Sequence, residues 1–194
     1  MKAMRPSVEC ILAFALTITA ASAQSVPPSF SCAKASTSVE KFICKNNQIA
    51  ALDLKLAAVY EDALKKNPDQ KAKQREWLKQ RDACSIYDSM EKCLIASYEH
   101  RITEVQIQSG ALSAPKVVNF QCDGSDRYKL RVAYYNDVDP QAAVFTYTND
   151  PVVALSLPSG SGARYGWHNV DFWEHQGEAQ FTWKGKQHTC KPQE

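Results

Sequence analysis

The sequence predicts two domains of different class, a small all-α helical domain stapled by disulfides and an antiparallel β-domain after it. The hydrophobic pattern has the helical period up to residue 108 and a period of two after residue 116. The stretch between them, SGALSAPK at 109–116, is small, polar and proline-bearing, which is typical of a linker. An even number of cysteines follows an N-terminal export signal, and this predicts disulfides.

Residues 1–23 predict a cleavable secretory signal peptide. Two basic residues precede an apolar run at 10–20, and the small residues ASA at 21–23 close it. The run is shorter than the roughly 20 residues that span a bilayer. No small-residue lipobox precedes Cys10, so we expect an exported protein without a lipid anchor that begins near Gln24.

The six cysteines after the signal allow 15 pairings, and the sequence does not choose among them. The shortest local closures favour three pairs: Cys32–Cys44, Cys84–Cys93 and, as the remainder, Cys122–Cys190. There is no C-x-x-C pair and the four histidines are scattered, so we expect no metal and no cofactor. The formal net charge of +2, with no basic stripe, sets nucleic-acid binding aside.

Four helices are predicted in the first domain, residues 24–108. The sequence TSVE at 37–40 is a capping box that begins the first helix. The second helix ends before Pro68, and its apolar face has spacings of 3, 4, 3 and 4: Ile49, Leu52, Leu56, Val59 and Ala63. A third helix covers 70–84, with Trp77 as its core aromatic residue. The fourth carries the apolar positions Leu94, Tyr98, Ile102 and Val105.

Residues 117–194 predict several short antiparallel strands that form a compact barrel or sandwich. YKLRVAYY at 128–135 alternates in polarity, and the segments 142–148 and 152–157 are rich in β-forming residues. Cys122 in the first strand and Cys190 in the last would tie the ends of the sheet together. We expect Phe172 and Trp173 in the core, and His100 and His188 at the surface.

The second domain resembles the C-type lysozyme inhibitor family, whose founding member is membrane-bound. The resemblance lies in five motifs: FQCDG at 120–124, SGSGARY at 159–165, FW at 172–173, GEA at 177–179 and TC at 189–190. It implies an eight-stranded antiparallel β-barrel that inhibits host lysozyme in the periplasm or at the outer membrane. Without a lipobox, this chain is similar to a periplasmic version of the family.

The first domain resembles the LprI-like family, which is also linked to lysozyme inhibition. The matching motifs are SFSCAKASTSVEKFIC at 29–44, LDLKLAAVYEDAL at 52–64, QREWLKQRDAC at 74–84 and CLIASYEHRI at 93–102. The resemblance therefore covers most of residues 29–108.

The glycine-serine loop is the candidate lysozyme-binding site. Lysozyme cuts glycosides with two carboxyl groups, one protonated and one ionised, inside a narrow cleft. Glycines at 160 and 162 allow positive φ and leave the loop thin, and the Ser161 hydroxyl offers a donor to those carboxyl groups. The lysozyme-binding residues implied are Ser159, Gly160, Ser161, Gly162, Ala163, Arg164, Tyr165 and His175.

His175 is a departure from the family pattern, because the family pairs this serine with a lysine fourteen residues later. An unperturbed histidine titrates near pH 6.5, whereas lysine stays charged. The sequence thus predicts inhibition that strengthens from about pH 7.5 to 5.5, with Arg164 supplying part of the missing charge.

Two other functions compete with inhibition. Ser161, His168 or His175, and Asp171 are the residue types of a hydrolase triad, but no G-x-S-x-G elbow is present, so we expect no enzyme. An envelope module that binds glycan or peptidoglycan through Trp167 and neighbouring aromatic residues, without inhibiting lysozyme, is the main alternative.

Overall fold

The structure, a computed structural model, describes residues 25–113, 115–123 and 129–193. A helical half is followed by a β-barrel, as the change of hydrophobic period predicts. The signal peptide predicted at 1–23 and Cys10 lie outside the described residues. None of the helices within the described ranges is long and apolar enough to cross a bilayer.

The described part of the helical half contains the four helices that the sequence predicts. They are α1 Ser38–Ile43, α2 Asn47–Lys66, α3 Gln70–Asp82 and α4 Met90–Gln108, with short 3₁₀ turns at Cys32–Lys34 and Ala83–Ile86. The capping box is present at α1. The Thr37 hydroxyl accepts from the Glu40 N–H and the Glu40 carboxylate accepts from the Thr37 N–H, each at 3.1 Å. Helix α2 ends just before Pro68, which cannot extend the hydrogen-bond ladder.

The helical core lies where α1, α2, α3 and α4 meet. Trp77 is buried there as predicted, its ring edge packs on Tyr98, and its indole N–H donates to Ser97 Oγ at 3.1 Å. Other buried apolar residues are Val39, Ile43, Ile49, Leu56, Ala63, Leu94, Ile102 and Val105. The disulfides Cys32–Cys44 and Cys84–Cys93 staple this half, and they are the pairs that the local spacing favours.

The second half is a closed antiparallel barrel of eight strands within the described residues, which decides between the barrel and the sandwich. The strands are β1 Lys116–Cys122, β2 Lys129–Tyr135, β3 Ala142–Tyr147, β4 Asp150–Leu157, β5 Ala163–Trp167, β6 Val170–His175, β7 Glu178–Trp183 and β8 Lys186–Pro192. Strands β1 and β8 close the barrel. Cys122 and Cys190 face each other in that pairing and form the third disulfide.

Alternating side chains fill the barrel. Four fully buried phenylalanines form its centre: Phe120, Phe145, Phe172 and Phe181. His188 also points inward and is only 3% exposed, so the prediction of a surface histidine is wrong here. Its Nδ1 lies 2.6 Å from Asp123 Oδ2, and this hydrogen bond holds the pKa of Asp123 below its ordinary value. The buried imidazole is tolerated because a carboxylate at the barrel end satisfies it.

His100 of α4 lies at the contact between the two halves. The prediction of a surface position is wrong for this histidine too. It is 7% exposed, and its Nε2–H donates to the Val153 carbonyl of β4 at 2.9 Å. Its ring stacks on Trp167 of β5, with centroids 3.6 Å apart and planes 6° apart. Burial, the largest effect, lowers the pKa of His100 to about 4 although the Val153 hydrogen bond opposes it.

Candidate functional site

The candidate loop lies at one end of the barrel. Residues 158–162 join β4 to β5, and residues 176–177 join β6 to β7. In an antiparallel barrel these two connections share an end, and the β5–β6 turn at 168–169 lies at the other. The candidate loop and the turn that follows His175 are therefore together. The contact between His100 and Trp167, where the helical half meets the barrel, lies at the other end of β5.

Gly162 is required by the conformation of the loop. Its φ of +70° lies in the left-handed region, and a Cβ added there would collide with the backbone carbonyl of Glu174 in β6. The two backbones approach closely because residue 162 carries no side chain. Gly160 lies outside the left-handed region and faces open space, so only Gly162 needs the positive φ expected for both.

The structure brings Ser161 and His175 together. Ser161 Oγ lies 3.2 Å from His175 Nδ1, and the histidine tautomer decides which atom donates. Ser161 is exposed, and His175 is half-buried at the end of β6. Two candidate residues fourteen positions apart thus present a hydroxyl and an imidazole side by side at the end of the barrel.

Two further donors hold the loop backbone beneath this pair. Ser159 Oγ donates to the Ser161 carbonyl at 2.6 Å, and Trp173 Nε1–H donates to the same oxygen at 2.9 Å. Trp173 is 37% exposed, so its predicted place in the core is wrong, whereas Phe172 is buried as predicted. Neighbouring residues of a strand face opposite sides, and this places the phenyl ring inside and the indole outside.

Arg164 is paired within the barrel wall. Its Nε and Nη2 donate to Asp171 Oδ2 at 3.1 and 2.9 Å, across the β5–β6 pair. Both side chains are partly exposed, so we expect the pair to contribute little to stability. Its consequence is electrostatic. The cation that could offset the missing lysine already faces a carboxylate, and that carboxylate is engaged by Arg164 rather than by His175.

Tyr165 is buried at the base of the loop. It is 4% exposed and its ring lies 5.8 Å from that of Tyr134, whose hydroxyl donates to Glu174 Oε2 at 3.0 Å. Burial first, and then the nearby Glu174, raises the pKa of both tyrosines above the ordinary value. Both phenols therefore stay protonated, and Tyr165 supports the loop from inside the barrel. Ala163 begins β5 and is half-buried.

Trp167 and His168 belong to a different surface. They line a cleft of about 970 Å³ between the β5–β6 turn and helices α3 and α4. One face of the Trp167 ring is covered by His100. Within the described ranges no three His, Cys, Asp or Glu side chains converge as metal ligands.

Comparisons with known proteins place both halves among lysozyme-inhibitor domains. The family described as lysozyme inhibitor LprI matches residues 32–108. The family described as membrane-bound lysozyme inhibitor of C-type lysozyme, MliC, matches residues 120–189. The fused arrangement that the two resemblances imply, an LprI-like half followed by an MliC-like half, is confirmed.

Two relatives match most of the chain, across both halves. It is 33% identical over 165 residues to lipoprotein LprI of Mycobacterium tuberculosis and of Mycobacterium bovis, covering 84% of this chain and 83% of each relative. The chain belongs to the LprI family.

Two further matches concern the barrel half. The membrane-bound lysozyme inhibitor of C-type lysozyme from Cupriavidus necator is 45% identical over 58 residues, which are 30% of this chain and 45% of that protein. A crystal structure of Pseudomonas aeruginosa MliC in complex with hen egg white lysozyme matches at 27% identity and a TM-score of 0.35, covering 42% of this chain and 87% of that one.

Proposed function

We propose that this protein inhibits C-type lysozyme by inserting the loop 158–162 into the active-site cleft. Ser161 and His175 hydrogen-bond the catalytic carboxyl groups there. The observation that supports this most directly is the 3.2 Å contact between Ser161 Oγ and His175 Nδ1 at an exposed end of the barrel. The matches of the two halves to lysozyme-inhibitor families support the choice of target.

The chemistry of the cleft suits this pair. One lysozyme carboxyl group is ionised and the other is protonated, so the inhibitor must meet an acceptor and a donor side by side. A serine hydroxyl can both donate and accept, and an imidazole can do either according to its protonation. Hydrogen bonds to an ionised group are roughly twice as strong as neutral ones, which favours binding at the catalytic centre.

The eight implied binding residues divide into two roles under this proposal. The contact residues are Ser159, Gly160, Ser161, Gly162 and His175, which lie at the exposed end. Tyr165 is buried and Ala163 half-buried, so they support the loop, and Arg164 lies on the outer wall with Asp171. The protein acts by occupying the cleft and carries out no reaction of its own.

We further propose a periplasmic location after removal of residues 1–23, without a lipid anchor. Several relatives are named as lipoproteins or as membrane-bound, and these names support a place in the cell envelope. The proposed units are a helical domain at 24–108, a linker at 109–116 and the inhibitory barrel at 117–194. This division is supported by the end of α4 at Gln108 and the start of β1 at Lys116.

The test is a Ser161→Ala, His175→Ala double variant assayed against digestion of bacterial cell wall by C-type lysozyme. One hydrogen bond to the ionised carboxylate, at about 1.5 kcal/mol or more, and one to the protonated carboxyl group, at about 1 kcal/mol, predict an inhibition constant raised at least about fiftyfold. His168→Ala, at the opposite end of the barrel, is the matched control and should inhibit like the parent.

Equal inhibition by the double variant and the parent would refute the proposal. A pull-down on insoluble peptidoglycan without lysozyme tests the alternative function. Retention of the protein there, together with absent inhibition, would favour a glycan-binding module instead.

A further inference from the structure

We infer that Trp173 is a positioning residue that holds Ser161 and His175 in the geometry that binds lysozyme. This inference rests on the proposed function, and it assigns a role to a residue that was expected in the core but lies on the outer wall. Trp173 lies on β6 with its indole on the outer wall, two residues before His175. It contacts both members of the pair.

The first contact fixes the serine. Trp173 Nε1–H donates to the Ser161 carbonyl at 2.9 Å, and Ser159 Oγ donates to the same oxygen at 2.6 Å. A carbonyl oxygen has two lone pairs, so these two donors satisfy it fully. With the peptide plane fixed at this oxygen, the direction of the Ser161 side chain is restricted as well.

The second contact orients the histidine. The rings of Trp173 and His175 are nearly parallel, with centroids 5.3 Å and planes 11° apart. Residues two apart on a strand point to the same face, so β6 itself sets this stacking. The stacked ring directs Nδ1 toward Ser161 Oγ, and the hydroxyl and imidazole meet at 3.2 Å.

The effect on binding is preorganisation. When a loop populates its binding conformation only part of the time, its association constant is multiplied by the populated fraction. In the free protein Trp173 restrains the loop through its indole N–H, together with the Ser159 hydroxyl. Its removal should therefore weaken binding even though the hydroxyl and the imidazole are still present.

The experiment is a double-mutant cycle on lysozyme affinity with Trp173→Phe and Ser161→Ala. Phenylalanine keeps a ring beside His175 and removes the indole donor. Loss of one hydrogen bond of ordinary net strength predicts about fivefold weaker binding in the parent background. In the Ser161→Ala background the same change should cost less than twofold, because there is no hydroxyl left to position.

Trp167→Phe is the matched control, since it makes the same substitution at the far end of the barrel and should leave affinity unchanged. An equal loss from Trp173→Phe in both backgrounds, or no loss in either, would overturn the inference. If Ser161→Ala itself leaves affinity unchanged, the proposed function fails first, and the positioning role fails with it. A comparison of thermal midpoints separates a general loss of stability from the effect on the loop.

Discussion

Acidification is expected to weaken the contact between the helical half and the barrel, because it forces a proton onto His100. The neutral ring donates from Nε2 to the Val153 carbonyl and stacks on Trp167, with 7% of the residue exposed. Water cannot solvate an added charge there. The nearby charges act less strongly than burial: Glu104 favours protonation, and His168 and Arg101 oppose it.

The size and sign of the effect follow from the pKa. The folded protein has the pKa of His100 lowered to about 4 from an ordinary 6.5, and the largest cause is burial. The unfolded chain thus binds a proton first, so this contribution to stability is complete above about pH 6.5 and is lost as the pH falls toward 4. At pH 4.5 the loss from His100 amounts to about 2–3 kcal/mol, at 1.36 kcal/mol per pKa unit.

The assay is urea unfolding of the parent and a His100→Gln variant at pH 7.5 and pH 4.5. Glutamine can donate an amide hydrogen to the Val153 carbonyl but does not titrate. Other ionisable groups contribute equally to both proteins and cancel in the comparison. The parent should lose about 2–3 kcal/mol more than the variant between the two pH values. Equal losses would refute the assignment of His100 as a buried neutral residue at the junction.

Two further changes test the barrel and the loop. Gly162→Ala should destabilise the protein by about 1–3 kcal/mol and abolish inhibition, since a Cβ meets the Glu174 carbonyl at a positive φ. Gly160→Ala, which meets open space, should change the thermal midpoint little, and equal midpoints for the two variants would contradict this reading. Replacing Cys122 and Cys190 by alanine should cost about 4 kcal/mol in urea unfolding, because the disulfide closes a loop of sequence separation 68. A decrease in the free energy of unfolding of less than about 1 kcal/mol would contradict this role of the disulfide.

Local rules were sufficient for the helical half. The capping box at Thr37, the helical period from Ile49 to Ala63 and the stop at Pro68 each act within a few residues of sequence, and the structure contains all three. The disulfides followed because short closures are favoured in a small domain. The closed, eight-stranded barrel could not be predicted in this way. The strand period was compatible with either a barrel or a sandwich, and only the family resemblance implied eight strands in a closed barrel.

Burial set by contacts between distant segments was not predictable in this way. His100 looks like a surface position of α4 until β4 and β5 pack against it, at a separation of 53 residues from Val153. His188 similarly depends on Asp123, which is 65 residues away. Polar side chains carry no sequence signal for such partners, because the partner is determined by the assembled fold.

The spacing implied that Ser161 and His175 lie together, but it did not give the contacts around them, and their binding to lysozyme stays a prediction. Ser161 and His175 meet as the fourteen-residue spacing implies, since adjacent connections at one barrel end bring them together. The outward indole of Trp173 and the pairing of Arg164 with Asp171 depend on strand register. The outward orientation of Trp173 could have been predicted from the alternation of β6, because a buried Phe172 requires its neighbour to face outward.

The central claim is that the loop occupies the same cleft as the sugar substrate. The most direct measurement is the affinity of the full chain for C-type lysozyme, titrated with rising concentrations of an N-acetylglucosamine oligosaccharide that fills the cleft. Insertion of the loop predicts strict competition, with an apparent dissociation constant that rises linearly with the oligosaccharide concentration, as the inverse of the fraction of enzyme whose cleft is still free. An affinity that stays constant at saturating oligosaccharide would contradict the claim and place the inhibitor elsewhere on the enzyme.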